Sequence, residues 1–305
     1  MAGLLTAARR AFHERLLQEI LFYDNKAPAD DDIATHADSN SPLSKMFGKG
    51  QLRAIGQARR DKRPKGQTSG AKFAEIVRWF IEETFPRLQH LRPGDWQIVS
   101  ARQNDDLVIA NYHQFSHLRQ IDNLAKKNID VAVTVGQDYV VTPDVLIVRE
   151  ALKDASLNTS DLEVVDDQWP KNADIRASNQ PLPSLHASIS TKWTLRSDRA
   201  QNARTEALNL IRNRKGHLPH FVLVTAEPLP SRLASAALGT GDIDCVYQIA
   251  LPELQMAVTS SDADAEVSGS SRLKATLAEE RRLLKMMVEG RRLKDIADLP
   301  LDLAV

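Results

Sequence analysis

The chain has 305 residues, enough for one large or two modest domains, and its 42% hydrophobic and 26% charged content is that of an ordinary globular protein. Its 40 basic and 40 acidic residues cancel, which argues against a protein held to nucleic acid by bulk charge alone. A single cysteine, Cys245, excludes an intrachain disulfide and a cysteine-based metal cluster, and no apolar run is long enough to span a bilayer, so a cytoplasmic protein without a membrane partner is expected.

The first stretch, "MAGLLTAARRAFHERLLQEILF", sets arginines and acids at helical spacing behind a short apolar patch. It predicts an amphipathic helix from about Leu4 to Phe22 and not a signal peptide. The polar "DNKAPADDDIATHADSNSPLSK" that follows reads as a loop and gathers Asp30, Asp31 and Asp32. From Lys49 to Lys65, "KGQLRAIGQARRDKRPK" holds seven basic residues and one acid. A local basic patch in a neutral chain suits a protein that binds DNA and releases it, although a solvated charged face would read the same.

In "GQTSGAKFAEIVRWFIEETFPRLQHL", Phe73, Ile76, Val77, Phe80 and Ile81 recur at helical spacing, and Pro93 and Gly94 mark the end of the element. "WQIVSA" and "DLVIANY" are predicted strands and "HQFSHLRQIDNLAKK" a helix. "YVVTPDVLIVREA" is a buried strand interrupted by one carboxylate, Asp144. "LHASISTKWT" alternates, with Leu185, Ala187, Ile189, Thr191 and Trp193 on one face and His186, Ser188, Ser190, Lys192 and Thr194 on the other. That pattern predicts a half-buried strand followed by a helix with charged first residues.

"HFVLVTAE" and "DCVYQIAL" are further buried strands around a short helix, "PSRLASAALGTG". "SSDADAEVSGSS" reads as a surface loop, and "RLKATLAEERRLLKMMVEGRRLKDI" as a closing helix with a glycine break. There is no internal repeat. The class is α/β or α+β, with a central mixed β-sheet flanked by helices.

An aspartate in a strand that is otherwise apolar is costly unless it is paired or holds a cation, and a satisfied structural aspartate beside Pro143 is the plainer reading. Proline-aspartate, followed at a distance by a strand ending in lysine, resembles the skeleton of the PD-(D/E)xK nucleases, whose carboxylates hold Mg²⁺ and whose lysine acts on the attacking water. Here Ser190 occupies the place of the second carboxylate. Mg²⁺ demands hard oxygen ligands, and Glu206 on the following helix is a candidate replacement; an exposed glutamate paired with Arg199 or Arg204 fits its spacing equally well. Arg196, Asp198 and Arg199 follow the strand. Arginine can fork onto guanine O6 and N7, and aspartate can accept from cytosine N4, so the three make a chemically sensible reader of G·C-rich DNA. An N-cap at Asp198 with local ion pairs is the competing use.

The segment "LHASISTKWTLRSDRAQNARTEALNLIRNRKG" resembles the NgoMIV family of type II restriction endonucleases, as do "GQTSG", "LQHLRPGDW", "TPD", "VTAEPLPSR", "ALGTGDIDCVY" and "GRRLKDIADLPLDLAV", in the same order over nearly the whole chain. The resemblance implies a restriction-endonuclease-like α/β core in one domain, residues 1–305. Its catalytic core would cover about 70–250, with N- and C-terminal helical parts packed on it. It implies Mg²⁺, one or two ions per site, on Asp144, Glu206 and the Thr191 carbonyl, with Lys192 as the catalytic lysine, Ser190 as a family serine and Glu75 as a further acid of the site. Arg196, Asp198 and Arg199 would read an inner CCGG. Arg232 would read the outer pair from the major groove, and Gln67 would read it from the minor groove.

The expected partners are double-stranded DNA with a GCCGGC-like palindrome, further copies of the chain in a dimer or tetramer, and a cognate DNA methyltransferase. Two rivals remain at this level. One is a repair or recombination nuclease of the same fold with little sequence preference, which would need no base readers. The other is a non-catalytic DNA-binding protein, which would have no use for Asp144, Lys192 and Glu206 together.

Overall fold

The structure is a computed structural model and describes residues 2–26, 32–100, 107–136, 140–239 and 241–305. Asp30 and Asp31 of the acidic run lie outside the described residues, as do Ala101, Asp106 and Tyr139 at the ends of predicted strands. In chain order the main helices are α1 (Leu4–Glu19), α2 (Pro42–Ile55), α3 (Gly66–Thr84), α4 (His117–Lys127), α5 (Ile129–Val135), α6 (Ser197–Asn213), α7 (Pro230–Ala237), α8 (Leu251–Thr259) and α9 (Ser271–Glu289). Between them run strands β1 (Trp96–Ser100), β2 (Val145–Arg149), β3 (Ser184–Lys192), β4 (His220–Thr225), β5 (Cys245–Gln248) and β6 (Leu293–Asp295).

The six strands follow one another across a sheet in chain order. β1, β2 and β3 pair antiparallel, and β4, β5 and β6 pair parallel. This is the mixed sheet flanked by helices that the sequence predicts, and it is consistent with the restriction-endonuclease fold. Among the described residues no helix is long and apolar enough to cross a membrane.

Two compact units divide the chain. One comprises Met1–Leu88, Ser190–Arg204 and Phe221–Val305; the other comprises Gln89–Ile189 and Thr205–His220. In the first unit α1 packs on α3, where Phe12 and Phe80 meet edge to face at 5.2 Å. Such a pair contributes about 0.5–1.5 kcal/mol beyond the area it buries. α2 packs on α8 so closely that a Cβ at Gly50 would stand 2.8 Å from the Ala257 Cβ. Arg9 of α1 donates to Glu253 of α8 and to Asp295 of β6.

In the second unit the long connection from β2 to β3 is gathered by Arg176. This nearly buried side chain donates to both oxygens of Asp154 and to the carbonyls of Asp166 and Pro170, at 2.7–2.9 Å.

Several local expectations are corrected. "DLVIANY" forms a short 3₁₀ turn over Val108–Asn111, not a strand. Asp144 lies one residue before β2 and not within it, next to a proline that can donate nothing to the ladder. β3 is buried on both faces: Ser188 and Ser190 are covered too, though less completely than their apolar neighbours, and His186 rests between Trp96 at 4.8 Å and His220 at 5.0 Å.

α6 begins at Ser197, so Asp198 falls inside its first turn and is not the N-cap. Residues 261–266 form a short helix with Ala263 buried, where a loop is predicted. Beyond Gly290 the chain turns, with Arg291 at φ 53°, and Leu293–Asp295 joins the sheet as β6 instead of extending a helix.

Candidate nucleic-acid interface

The site begins where β3 ends. The Lys192 carbonyl accepts from the Thr225 hydroxyl at 2.7 Å. Trp193 turns inward, donates its indole N–H to the Thr35 carbonyl at 3.4 Å, and meets Phe73 edge-on at 5.2 Å. Arg199 donates to the Thr194 hydroxyl at 2.7 Å and also to the Thr194 carbonyl. The Leu195 N–H donates to Glu227 Oε2 at 2.8 Å. Four consecutive residues are thereby fixed, and Arg196 follows them with its side chain exposed.

The N-terminus of α7 lies in the same unit and is held in a similar way. The Leu229 N–H donates to Glu227 Oε1 at 3.2 Å, and the Ser231 N–H donates to Glu280 Oε2 at 2.7 Å. Carboxylates suit this end of a helix because its first N–H groups lack intrahelical partners. Arg232, in that first turn, donates to Asp38 and lies 3.7 Å from Glu227. Asp38 is also tied to its own loop through the Asn40 N–H at 3.0 Å.

Two clefts open between these groups. One, of about 500 Å³, is lined by Asp38, Asn40, Arg196, Ser231, Arg232 and Ser235. The other, of about 230 Å³, has Asp38, Arg63, Gly66, Trp193, Arg196 and Arg199 among its walls. Asp38 and Arg196 border both. The hydrogen bond from Arg232 holds the Asp38 carboxyl below the usual aspartate range, assisted by the Asn40 N–H. Glu227 goes the other way: burial pushes it up to about 7, against the pull of Arg232 and of the N–H groups of Leu195 and Leu229.

Of the sequence-predicted readers, Arg196, Arg199 and Arg232 line these clefts. Asp198 is exposed in the first turn of α6, and Gln67 is exposed next to Gly66, which lines the smaller cleft. Among the expected catalytic groups, Ser190 and Thr191 are buried on β3 and Lys192 is half-buried at its end. Asp144 is 7% exposed just before β2. The last registered pair of β2 and β3 is Val145↔Ile189. Glu206 is half-buried on α6, beside the buried stripe of Ala200, Ala203, Ala207 and Leu210.

Glu75 stands on the exposed side of α3, 3.6 Å from Arg15. Among the described residues no three His, Cys, Asp or Glu side chains are grouped to hold a metal. The oxygen-bearing side chains of Asp144 and Glu206 are of the chemical type that Mg²⁺ takes.

Sequence reasoning passed over Asp38 and Glu227, and took Arg63 only as one member of the basic run from Lys49 to Lys65. Asp38 lay in a stretch read only as a loop. Glu227 ends the apolar run "HFVLVTAE", and a lone carboxylate after such a run is the one signal that could have marked it.

The mixed sheet and the arginine-lined clefts belong with a known class. A profile of the NgoMIV restriction enzyme family matches residues 12–305, and the chain belongs to that family. It is similar to the type II restriction enzyme NgoMIV of Neisseria gonorrhoeae, at 44% identity over 306 residues, covering 100% of both chains. The protein is a type II restriction enzyme.

Proposed function

We propose that the enzyme hydrolyses a phosphodiester in duplex DNA at a GCCGGC-like palindrome, with Mg²⁺, in the cytoplasm. The observation that carries this reading is the pair of clefts bordered by Arg196, Arg199 and Arg232 beside the end of the strand that bears Lys192. Arg196 and Arg199 serve as forks for the inner guanines, Asp198 accepts from cytosine, and Arg232 and Gln67 read the outer pair. A repair-type nuclease would show phosphate contacts without such an array.

Asp144 and Glu206 would hold the metal, one or two ions, with the Thr191 carbonyl beside them. When bound, the ion polarises the phosphate and acidifies a water. Lys192 orients that water and offsets the charge that develops on the phosphate oxygens. Ser190 keeps the strand end packed, and Glu75 contributes at a distance, through water. A palindrome calls for at least two copies of the chain, and the family resemblance suggests four. The same resemblance leads us to treat 1–305 as one endonuclease domain partnered in the cell by a cognate methyltransferase.

Plasmid incubated with Mg²⁺ should give discrete fragments that map to CCGG-containing sites; a smear would favour the repair-type reading, and no cutting would favour a binder. Asp144→Ala and Glu206→Gln should each bind a cognate duplex in a gel-shift assay yet cut it at least one hundredfold more slowly. A near-wild-type rate in either variant removes that residue from the metal site.

A further inference from the structure

Glu227 has no part in the function proposed above, yet it is fully buried and each of its carboxylate oxygens accepts a hydrogen bond. We propose that Glu227 is a positioning residue for base reading, holding the segment that presents Arg196 and the helix that presents Arg232 at one fixed spacing and so setting discrimination at the outer base pair. This rests on the reading of Arg232 as the outer reader.

The two carboxylate oxygens are divided between the two elements. Oε2 accepts from the Leu195 N–H, one residue before Arg196, and Oε1 accepts from the Leu229 N–H, three residues before Arg232. The backbone of the same residue reaches the catalytic strand as well: the Glu227 N–H donates to the Thr225 hydroxyl, which in turn donates to the Lys192 carbonyl. A buried carboxylate is an expensive acceptor, and an apolar side chain would cost less in a group that served stability alone. What only a carboxylate offers here is two acceptors for two backbone segments and a negative charge 3.7 Å from Arg232.

The charged groups around it are few. Arg232 and Asp38 act on Glu227, Arg196 acts on Asp38, and Glu280 of α9 reaches the Ser231 N–H next to Arg232. With Glu227 ionised, the Arg232 guanidinium is held between two carboxylates in one orientation, so a guanine meets donors that are already aimed. With Glu227 protonated, only Asp38 holds it. Because burial places this titration at about 7, the two conditions are reached at pH 8 and pH 6.

The test is competition cleavage of GCCGGC against duplexes changed at the outer pair or at one inner pair, at pH 6 and pH 8, with wild type and Glu227→Gln. The glutamine keeps the shape but offers one acceptor in place of two. Wild type should discriminate at the outer pair several-fold better at pH 8 than at pH 6, while inner-pair discrimination stays level. In Glu227→Gln, outer discrimination should fall about tenfold, within the range set by one arginine–guanine contact, and should lose its pH dependence. Outer discrimination unchanged by the variant overturns the proposal. If the variant does not fold, the wild-type arm decides, and equal outer discrimination at both pH values overturns it. A wild type that cuts no CCGG duplex removes the proposed function itself, and this inference with it.

Discussion

Arg176 and Arg232 are both largely buried arginines bonded to an aspartate, and they hold different kinds of structure. Arg176, in the second unit, is 5% exposed and gives its donors to one carboxylate and two backbone carbonyls of the connection that it closes. Arg232, in the first unit, is 25% exposed, meets the carboxylates of Asp38 and Glu227, and borders a cleft. An arginine saturated by backbone carbonyls is committed to the fold. One held by carboxylates at a cleft keeps its charge and direction available, which is what a guanine edge requires. If Arg232 reads a base as proposed, the carboxylates around it act as an aiming device more than as a salt bridge for stability.

The largest effect that would sharpen this contrast is Arg176→Ala. It leaves Asp154 and two carbonyls without their donor. Because Asp154 is 40% exposed, the ion pair itself matters little, and most of the loss comes from the buried carbonyls and lost packing. We expect a clearly lower urea midpoint, with sequence preference unchanged in whatever protein remains folded. A shifted preference would blur the distinction between the two arginines.

Next comes the packing behind Trp193, where His36 is fully buried against Gln51 and the indole. Burial lowers its pKa to about 4. A histidine depressed in the folded state contributes stability above its unfolded value of about 6.5, and that stability is lost as pH falls toward the folded value. Wild type should lose about 2 kcal/mol more than His36→Asn between pH 8 and pH 5. Parallel pH profiles would show that water reaches His36 in the folded protein.

Arg232→Ala should have the smallest effect on stability, under about 1 kcal/mol near neutral pH, because Glu227 can take up a proton once its partner is gone. The same variant should nevertheless lose roughly 1–3 kcal/mol of discrimination at the outer base pair in competition cleavage. If it loses stability as Arg176→Ala does, the contrast drawn above is broken. If it slows cleavage of every duplex equally, Arg232 is a phosphate clamp.

How much of this was legible follows from where the information sits. β3 and α3 were visible because period and length are local properties, and "LHASISTKWT" and "FAEIVRWFI" carry them without help from elsewhere. That β3 has no wet face was not visible, because His186 is covered by Trp96 and His220, which are distant in sequence. α2 was missed despite a local cue, a serine N-cap followed by proline at the first helical position, since the basic run masked it. β6 was read as helix because three residues ending an amphipathic stretch cannot reveal a parallel neighbour.

In the site, the arginines announced themselves by type. Asp38 and Glu227 did not, because their meaning lies wholly in pairings across 194 and 32 residues of chain.

The bond from Arg9 to Asp295 spans 286 residues, and its companion to Glu253 spans 244. On a ribosome adding about 5–20 residues per second, Arg9 therefore waits roughly 15–60 s for its last partner. Through that interval the unit with the arginine-lined clefts lacks β6 and the bond that ties α1 to it, so contacts this distant make its closure a late event. The unit that holds both arginine-lined clefts is thus timed by its own topology: it is completed only after the last sheet strand has been made.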